Sequence, residues 1–445
     1  MGPAAREGGV VGDYYDAVRR RRNLETAAAY VCSRGRSSRS KEIRTEVNDF
    51  DRRWTSRIQG LERALRDGRF VFAPQRAIFI PRSGKKPRPI IIAPLPNRIL
   101  QRAILQVLRD VPKISEVLAV PSSVGGIEGV DAGIALVQAA IKNRATWYVR
   151  SDIPNFFGSI PRAPIIDFVH AATGDDELTE LFLRATETTL IEPEKFSEQE
   201  IDLLPDEETG IAQGSALSTL IGNILLQDFD RRMQGNGMAC IRYIDDFIIL
   251  AKSKAQVLGA FNSAQRLLAK HGIRAYEHND GSGKAVLAPV ASGIDFLGCR
   301  IDGALVGPSQ RARTDLLESI RQILADGRHA IRAAAAGKKP GLKGRRESQT
   351  LHQVDLVVNG WGQAFAFCNA GTVKKDLDNK IIELVCDFRE ENARLANTLP
   401  TNERGRVIGV TRLCDIPKKE LKLSPRAHRS NALADIDDSK STGKR

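Results

Sequence analysis

Cys240-Ile241-Arg242-Tyr243-Ile244-Asp245-Asp246-Phe247-Ile248-Ile249-Leu250 sets two adjacent carboxylates between two apolar, strand-like runs. That is the pattern of a β-hairpin carrying acids at its tip. An isolated Asp-Asp pair is ordinarily a polar turn, and crowding two like charges is costly unless cations compensate them. A third acid changes the reading. In Trp147-Tyr148-Val149-Arg150-Ser151-Asp152-Ile153 a strand-like run ends at Asp152, and Pro154-Asn155-Phe156-Phe157-Gly158-Ser159-Ile160 turns at once into another apolar element. A strand-end carboxylate and a hairpin carboxylate together can hold two Mg²⁺ ions about 3.5–4 Å apart, activating an attacking hydroxyl and stabilising a leaving phosphate.

Outward from these stretches the pattern alternates. Trp147 to Ile301 mixes strand-like and helix-like pieces, the mark of an α+β or α/β core. Upstream, Asp13 to about Arg66 is rich in Arg and Glu with Ile58, Leu61 and Leu65 at helical intervals. Phe70-Val71-Phe72, Ala77-Ile78-Phe79-Ile80 and Pro89-Ile90-Ile91-Ile92 read as β structure, a hairpin with a basic tip at Ser83-Gly84-Lys85-Lys86, and Arg98 to Leu108 returns to helical spacing. Downstream, Thr314 to Ala335 and Leu351 to Asn359 read as amphipathic helices separated by a basic linker from Lys338 to Arg346, and Ser424 to Arg445 reads as a flexible tail.

Composition bounds the partners. With 445 residues, 42% hydrophobic and 27% charged, the chain is long enough for two to four compact units. Lys and Arg outnumber Asp and Glu by 67 to 54, a net charge of +13 that favours a polyanionic partner. The six cysteines are scattered, with no pair at zinc-ligand spacing, which suggests free thiols in a reducing compartment. The absence of a signal-peptide core or a long uncharged apolar run predicts a cytoplasmic protein with no membrane partner.

Taken together, the motifs resemble those of the reverse transcriptases, in particular the prokaryotic branch that includes group II intron, retron and defence-associated enzymes. Asp152 with Phe156-Phe157 is similar to the family's first palm motif, Gln213-Gly214-Ser215-Ala216-Leu217-Ser218 to its second, and Tyr243-Ile244-Asp245-Asp246 to its third. Lys284 after Gly281-Ser282-Gly283, and Phe296-Leu297-Gly298-Cys299-Arg300-Ile301, resemble the fourth and fifth. The likeness runs from Arg76 to Ile301 and, through Gly360-Trp361, weakly into a thumb-like region. It implies an α+β right-hand polymerase: an N-terminal helical extension over 1–75, fingers over 76–141, a palm of antiparallel sheet packed on helices over 142–306, a helical thumb over 307–400, and a C-terminal extension over 401–445.

The resemblance also implies roles. Asp152 and Asp245 would bind two Mg²⁺ ions directly, with the Ile153 carbonyl as a further oxygen ligand and Asp246 in support. Arg88 and Lys86 would hold the triphosphate, a task suited to the bidentate guanidinium. Gln213 and Gly214 would contact the incoming nucleotide, and Phe157 would stand where a ribonucleotide's 2′-OH must go, favouring dNTPs. Lys284 would be the candidate general acid for pyrophosphate, and Phe296-Leu297-Gly298 would grip the primer. The implied partners are an RNA template or noncoding RNA, a DNA primer and product, and dNTPs; a homo-oligomer or a partner protein stays open.

Departures narrow the subfamily. Ala212, Ala216 and Thr219 stand where the group II pattern has proline, and no C-terminal Cys/His nuclease region follows. The nearest likeness is then to defence-associated, abortive-infection-like enzymes, which make DNA from an associated noncoding RNA, implying an antiviral role. Three alternatives stay open: template-independent or protein-primed synthesis on the same site, a group II intron-like or retron enzyme, and a non-catalytic RNA-binding scaffold. The scaffold has no physical need for an acid cluster beside a phosphate-binding hairpin.

Overall fold

The structure, a computed structural model, describes residues 14–38, 40–82, 85–125, 128–206, 208–235, 237–281, 283–336, 346–409 and 413. Residues 83–84, the linker over 337–345, Cys414 and the expected tail lie outside them. The chain divides into two compact units, one running to Ser309 and including Phe367–Asn369, the other formed by Gln310–Ala366 and the residues from Ala370 onward.

The first unit opens with four helices, α1 (Tyr14–Arg19), α2 (Arg21–Arg36), α3 (Lys41–Asp51) and α4 (Trp54–Arg66). A hairpin of β1 (Arg76–Arg82) and β2 (Lys85–Ile92) follows, then α5 (Leu95–Arg109), α6 (Pro112–Leu118) and α7 (Val130–Lys142). Strand β3 (Trp147–Asp152) leads into α8 (Ala163–Thr173), α9 (Asp176–Thr186), α10 (Glu198–Ile201), α11 (Ser218–Leu225) and α12 (Gln227–Arg232). The acid-bearing hairpin is β4 (Met238–Tyr243) and β5 (Asp246–Ala251), followed by α13 (Lys254–Ala269) and the strands β6 (Val286–Pro289), β7 (Ile294–Phe296), β8 (Cys299–Asp302) and β9 (Leu305–Pro308).

The fold is α+β. A four-stranded antiparallel sheet in the order β4-β5-β3-β6 packs on helices, and β7-β8-β9 form a separate three-stranded sheet. Strand β5 reads as a continuous apolar run because it is flanked on both edges and buried along its length. Phe247 packs between Phe229 and Phe261, at ring-centroid distances of 5.4 Å and 6.4 Å. The main core extends from this sheet through α11 to α5 and α2. Asn369 closes the edge of β9, accepting from the Val306 amide at 2.7 Å and donating its own amide to the Val306 carbonyl at 2.9 Å.

The second unit is helical: α14 (Gln310–Ala335), α15 (Glu347–Ala364), α16 (Gly371–Asn397) and α17 (Gly405–Ile408). Its core gathers Leu316, Ile320, Leu324, Ile331, Val354 and Phe388. Glu391 on α16 accepts from both Arg328 and Arg332 on α14. Among the described residues no helix is long and apolar enough to cross a membrane, and the described cysteines form no disulfide.

One local expectation fails. Phe70-Val71-Phe72 forms no strand. The rings of Phe70 and Phe72 pack edge to face at 5.1 Å, and the Ala73 backbone is satisfied by a side chain instead of a ladder. Asn97 on α5 accepts from the Ala73 amide at 3.1 Å and donates to its carbonyl at 2.8 Å. Replacing buried Asn97 by alanine strands both groups, and Asn97→Ala should lower unfolding stability by about 1–3 kcal/mol in a urea titration.

Candidate active site

The three acids meet because of strand register. Asp152 ends β3 opposite Asp246, the first residue of β5, and Asp246 is also opposite Tyr243 at the end of β4. The ladder continues one step beyond the strand: the Ile153 amide donates to the Asp245 carbonyl at 3.1 Å. Asp245 thus sits at the hairpin tip with Ile244, directly over the turn that leaves β3. On the other side, the Tyr276 amide donates to the Asp152 carbonyl at 3.1 Å, and the Ser151 hydroxyl donates to the Tyr276 carbonyl at 2.8 Å.

Crowding shows in the acidities. Burial, then Asp152 and Asp245, push the Asp246 carboxyl up to about 7. Burial, then Asp152, also raise the Asp245 carboxyl, with Arg88 opposing them. Lys284 Nζ lies 3.5 Å from Asp152 Oδ2 and faces the Tyr276 ring at 5.8 Å. Among the described residues no group of three or more His, Cys, Asp or Glu is gathered closely enough to hold a metal as it stands. The donor set nonetheless fits a divalent cation. Three carboxylates on adjoining backbone positions repel one another until positive charge is supplied between them.

The nucleotide-side residues converge from two directions. Arg88, exposed on β2, donates from Nε to Gln213 Oε1 at 2.9 Å, and the Ile91 amide donates to the Gln213 carbonyl at 3.3 Å. Gly214 has φ +113°, and a Cβ there would stand 3.3 Å from the Ile91 carbonyl oxygen. The second motif therefore turns tightly against the hairpin, as only glycine comfortably permits. Phe157 is partly buried against the core. Its carbonyl accepts from the Ile211 amide at 2.8 Å, two residues before Gln213.

The remaining expected site residues sit on β2 and at the β7–β8 turn. Lys86 is exposed on β2. Phe296 is buried at the end of β7, and Leu297-Gly298 form the two-residue turn into β8, at φ +49° and +78°. Among the described residues no hydrogen bond or ion pair joins Lys86 or Phe296–Gly298 to the three acids.

The sequence reading missed what holds the tip. Ile244 has φ +61°, an outlier for a β-branched residue. Arg242, 1% exposed, donates from Nη1 to the Ile244 carbonyl at 2.8 Å and from Nε to Asp230 Oδ1 at 2.7 Å. Its Nη2 donates to Ser123 Oγ at 2.6 Å and to Asn223 Oδ1 at 3.0 Å. The backbone of 122–124 brackets it: the Arg242 amide donates to the Ser122 carbonyl at 2.8 Å, and the Val124 amide donates to the Arg242 carbonyl at 3.1 Å. Gly125 completes the clamp, since a Cβ there would lie 2.5 Å from the Ile244 amide nitrogen. The available signal was an arginine inside an apolar strand, which must find partners when buried.

A sheet that sets three carboxylates at a strand end and hairpin tip, beside an arginine-bearing hairpin, belongs to a nucleic-acid polymerase. Residues 80–301 match the model of the family described as reverse transcriptase (RNA-dependent DNA polymerase), so the chain carries a reverse transcriptase domain. Protein YkfC of Escherichia coli (strain K12) is 22% identical over 281 residues, 55% of this chain and 71% of YkfC. Among solved structures, a chain of a partial Cas6-RT-Cas1--Cas2 complex is 24% identical with a TM-score of 0.34, over 57% of this chain and 41% of that one. Apo telomerase from Candida tropicalis is 13% identical with a TM-score of 0.42, over 72% and 63%. This chain spans less than two thirds of the length of either solved chain.

The two parts of the clamp should fail differently, one in stability and the other in rate. Arg242→Ala leaves Asp230 buried without its partner and should destabilise the fold by about 3–5 kcal/mol in chemical unfolding. Gly125→Ala pushes the hairpin tip away from Asp152. It should lower the DNA synthesis rate by about tenfold or more while shifting the melting temperature by a few degrees or less.

Proposed function

We propose that this protein copies RNA into DNA by two-metal-ion nucleotidyl transfer. The supporting observation is the register that pairs Asp152 with Asp246 and carries the Ile153 amide onto the Asp245 carbonyl. Asp152 and Asp245, supported by Asp246 and the Ile153 carbonyl, would hold two Mg²⁺ ions, which when bound activate the primer 3′-hydroxyl and neutralise the leaving pyrophosphate.

The chain's own residues supply the rest. Arg88, with Lys86 on the same strand, grips the triphosphate, and its bond to Gln213 keeps the second motif against the nucleotide. Phe157 occupies the 2′-OH position and selects dNTPs. Lys284, beside Asp152, protonates pyrophosphate as it leaves. Phe296-Leu297-Gly298 hold the primer. The β1–β2 hairpin with α5–α7 serves as fingers, the four-stranded sheet with its helices as palm, and the helical second unit as thumb.

The proposal extends to antiviral defence with an associated noncoding RNA. It is supported by the net charge of +13 and by the second motif, where Ala212, Ala216 and Thr219 replace the group II prolines.

Purified protein should extend a primed RNA template with Mg²⁺ and dNTPs. Asp152→Asn and Asp245→Ala should each reduce incorporation by about a thousandfold or more, and equal incorporation by wild type and both variants sinks the assignment. Phe157→Ala should raise ribonucleotide incorporation relative to deoxynucleotide by about tenfold or more, measured by competing rNTP against dNTP. Cells carrying the wild-type gene should resist bacteriophage and cells carrying Asp245→Ala should not; equal plaque counts across a phage panel reject the defence role.

A further inference from the structure

The ring of Phe157 is positioned by its neighbours. Phe157 lies in a one-turn 3₁₀ helix, Phe156–Ser159, entered through Asn155 at φ +47°. The Asn155 side chain lies across Gly158, where a Cβ would stand 2.5 Å from Nδ2. The turn is then tied to the residues that lead into the second motif. The Ile211 amide donates to the Phe157 carbonyl at 2.8 Å, and the Gly210 amide donates to the Ile160 carbonyl at 2.9 Å. The backbone is thus held on both sides of the ring, so the ring's reach is set by what stands behind it.

Phe156 stands there. It is 2% exposed, and its ring meets that of Phe157 with centroids 5.4 Å apart and planes tilted by 51°. On its other side the Phe156 ring lies on Gly222, in the interior of α11. A Cβ at residue 222 would stand 2.9 Å from Phe156 Cε1 and 3.3 Å from Cζ, too close to be tolerated without movement. Glycine weakens a helix interior relative to alanine, and at this position the ring takes the space that a side chain would fill. Ile221, Ile224 and Leu225 beside it are buried as well. Close-packed surroundings leave no void to absorb an added methyl, so the volume must displace a neighbour. Phe157 is only partly buried against this core, which makes it the side that yields.

We propose that Gly222 and Phe156 are positioning residues that set how far Phe157 reaches toward the nucleotide sugar, and so determine which 2′ substituents the site accepts. This role deepens the proposed function and rests on Phe157 being the residue beside the 2′ position. Phe156 is held between α11 and the Phe157 ring. Volume added at residue 222 therefore advances Phe157, and volume removed at residue 156 lets it retreat. Neither change touches the nucleotide, and the two act in opposite directions. A fluorine at C2′, larger than hydrogen and smaller than hydroxyl, is the sensitive probe of that reach.

The test uses the full chain extending a preannealed primer on an RNA template, and reads the ratio of kcat/KM for a 2′-fluoro-dNTP to that for the matching dNTP. Both substrates compete for the same enzyme, so loss of folded protein does not move the ratio. Gly222→Ala should lower it by about tenfold, Phe156→Leu should raise it by about fivefold, and the double variant should return it to within about twofold of wild type. Circular dichroism melts identify any variant that fails to fold; if Gly222→Ala does, Phe156→Leu and the volume-compensated double variant carry the test. Single variants that leave the ratio unchanged, while Phe157→Ala still raises it, overturn the inference and keep Phe157 at the sugar. Single variants that move the ratio in the same direction also overturn it, since a loosened core and not the reach of Phe157 is then being read. A ratio that Phe157→Ala leaves unchanged removes Phe157 from the sugar and the inference with it, and no synthesis by wild type sinks the polymerase reading and everything built on it.

Discussion

The buried pair of Arg242 and Asp230 is the constraint on which the site depends. Three carboxylates on neighbouring backbone positions repel one another, and the hairpin that carries two of them turns through a left-handed isoleucine. Such a tip persists only where its surroundings over-determine it. Arg242 does this by donating to the Ile244 carbonyl while its charge is neutralised by Asp230. Burying an ion pair is weak evidence for net stability, since desolvation offsets attraction. Its role here is positional: one rigid, planar group reaches the β4–β5 hairpin, α12, α11 and the segment before α7 at once.

Around that anchor the chain is arranged to bring cations toward anions without letting protein charge replace the ligand. Lys284 touches Asp152, and Arg88 acts on Asp245 from the β1–β2 hairpin, yet Asp246 is still held far above the ordinary carboxylate range. Full neutralisation by lysine and arginine would leave the acids no attraction for an added cation. Partial neutralisation keeps the acids close in the fold while preserving their demand for added positive charge.

The second motif joins two environments. Gln213 faces the hairpin through Arg88 and Ile91, and Ser215 and Thr219 face a cavity behind, with Gly214 making the turn between them. Asn223, one helical turn past Thr219, links that cavity to the clamp on the hairpin tip. Contacts on the two sides of the motif are thus connected through side chains whose donors and acceptors are fixed by guanidinium chemistry.

Much of this was legible in one dimension. Asp152, Asp245 and Asp246 stood out by residue type and by the apolar runs around them, and strand register does bring them together. Helical spacing likewise marked α5 and α14. The failures are non-local. Phe70–Phe72 has strand-like composition, but its neighbouring backbone is satisfied by Asn97, 24 residues beyond Ala73. Arg242 finds Asp230, Asn223 and Ser123 at separations of 12, 19 and 119 residues, and no local pattern encodes those meetings. The sequence by itself determined the chemistry, because chemistry is carried by residue types. Tertiary structure alone decided which groups are strained or clamped, because burial and hydrogen-bond satisfaction depend on distant residues arriving at the same place.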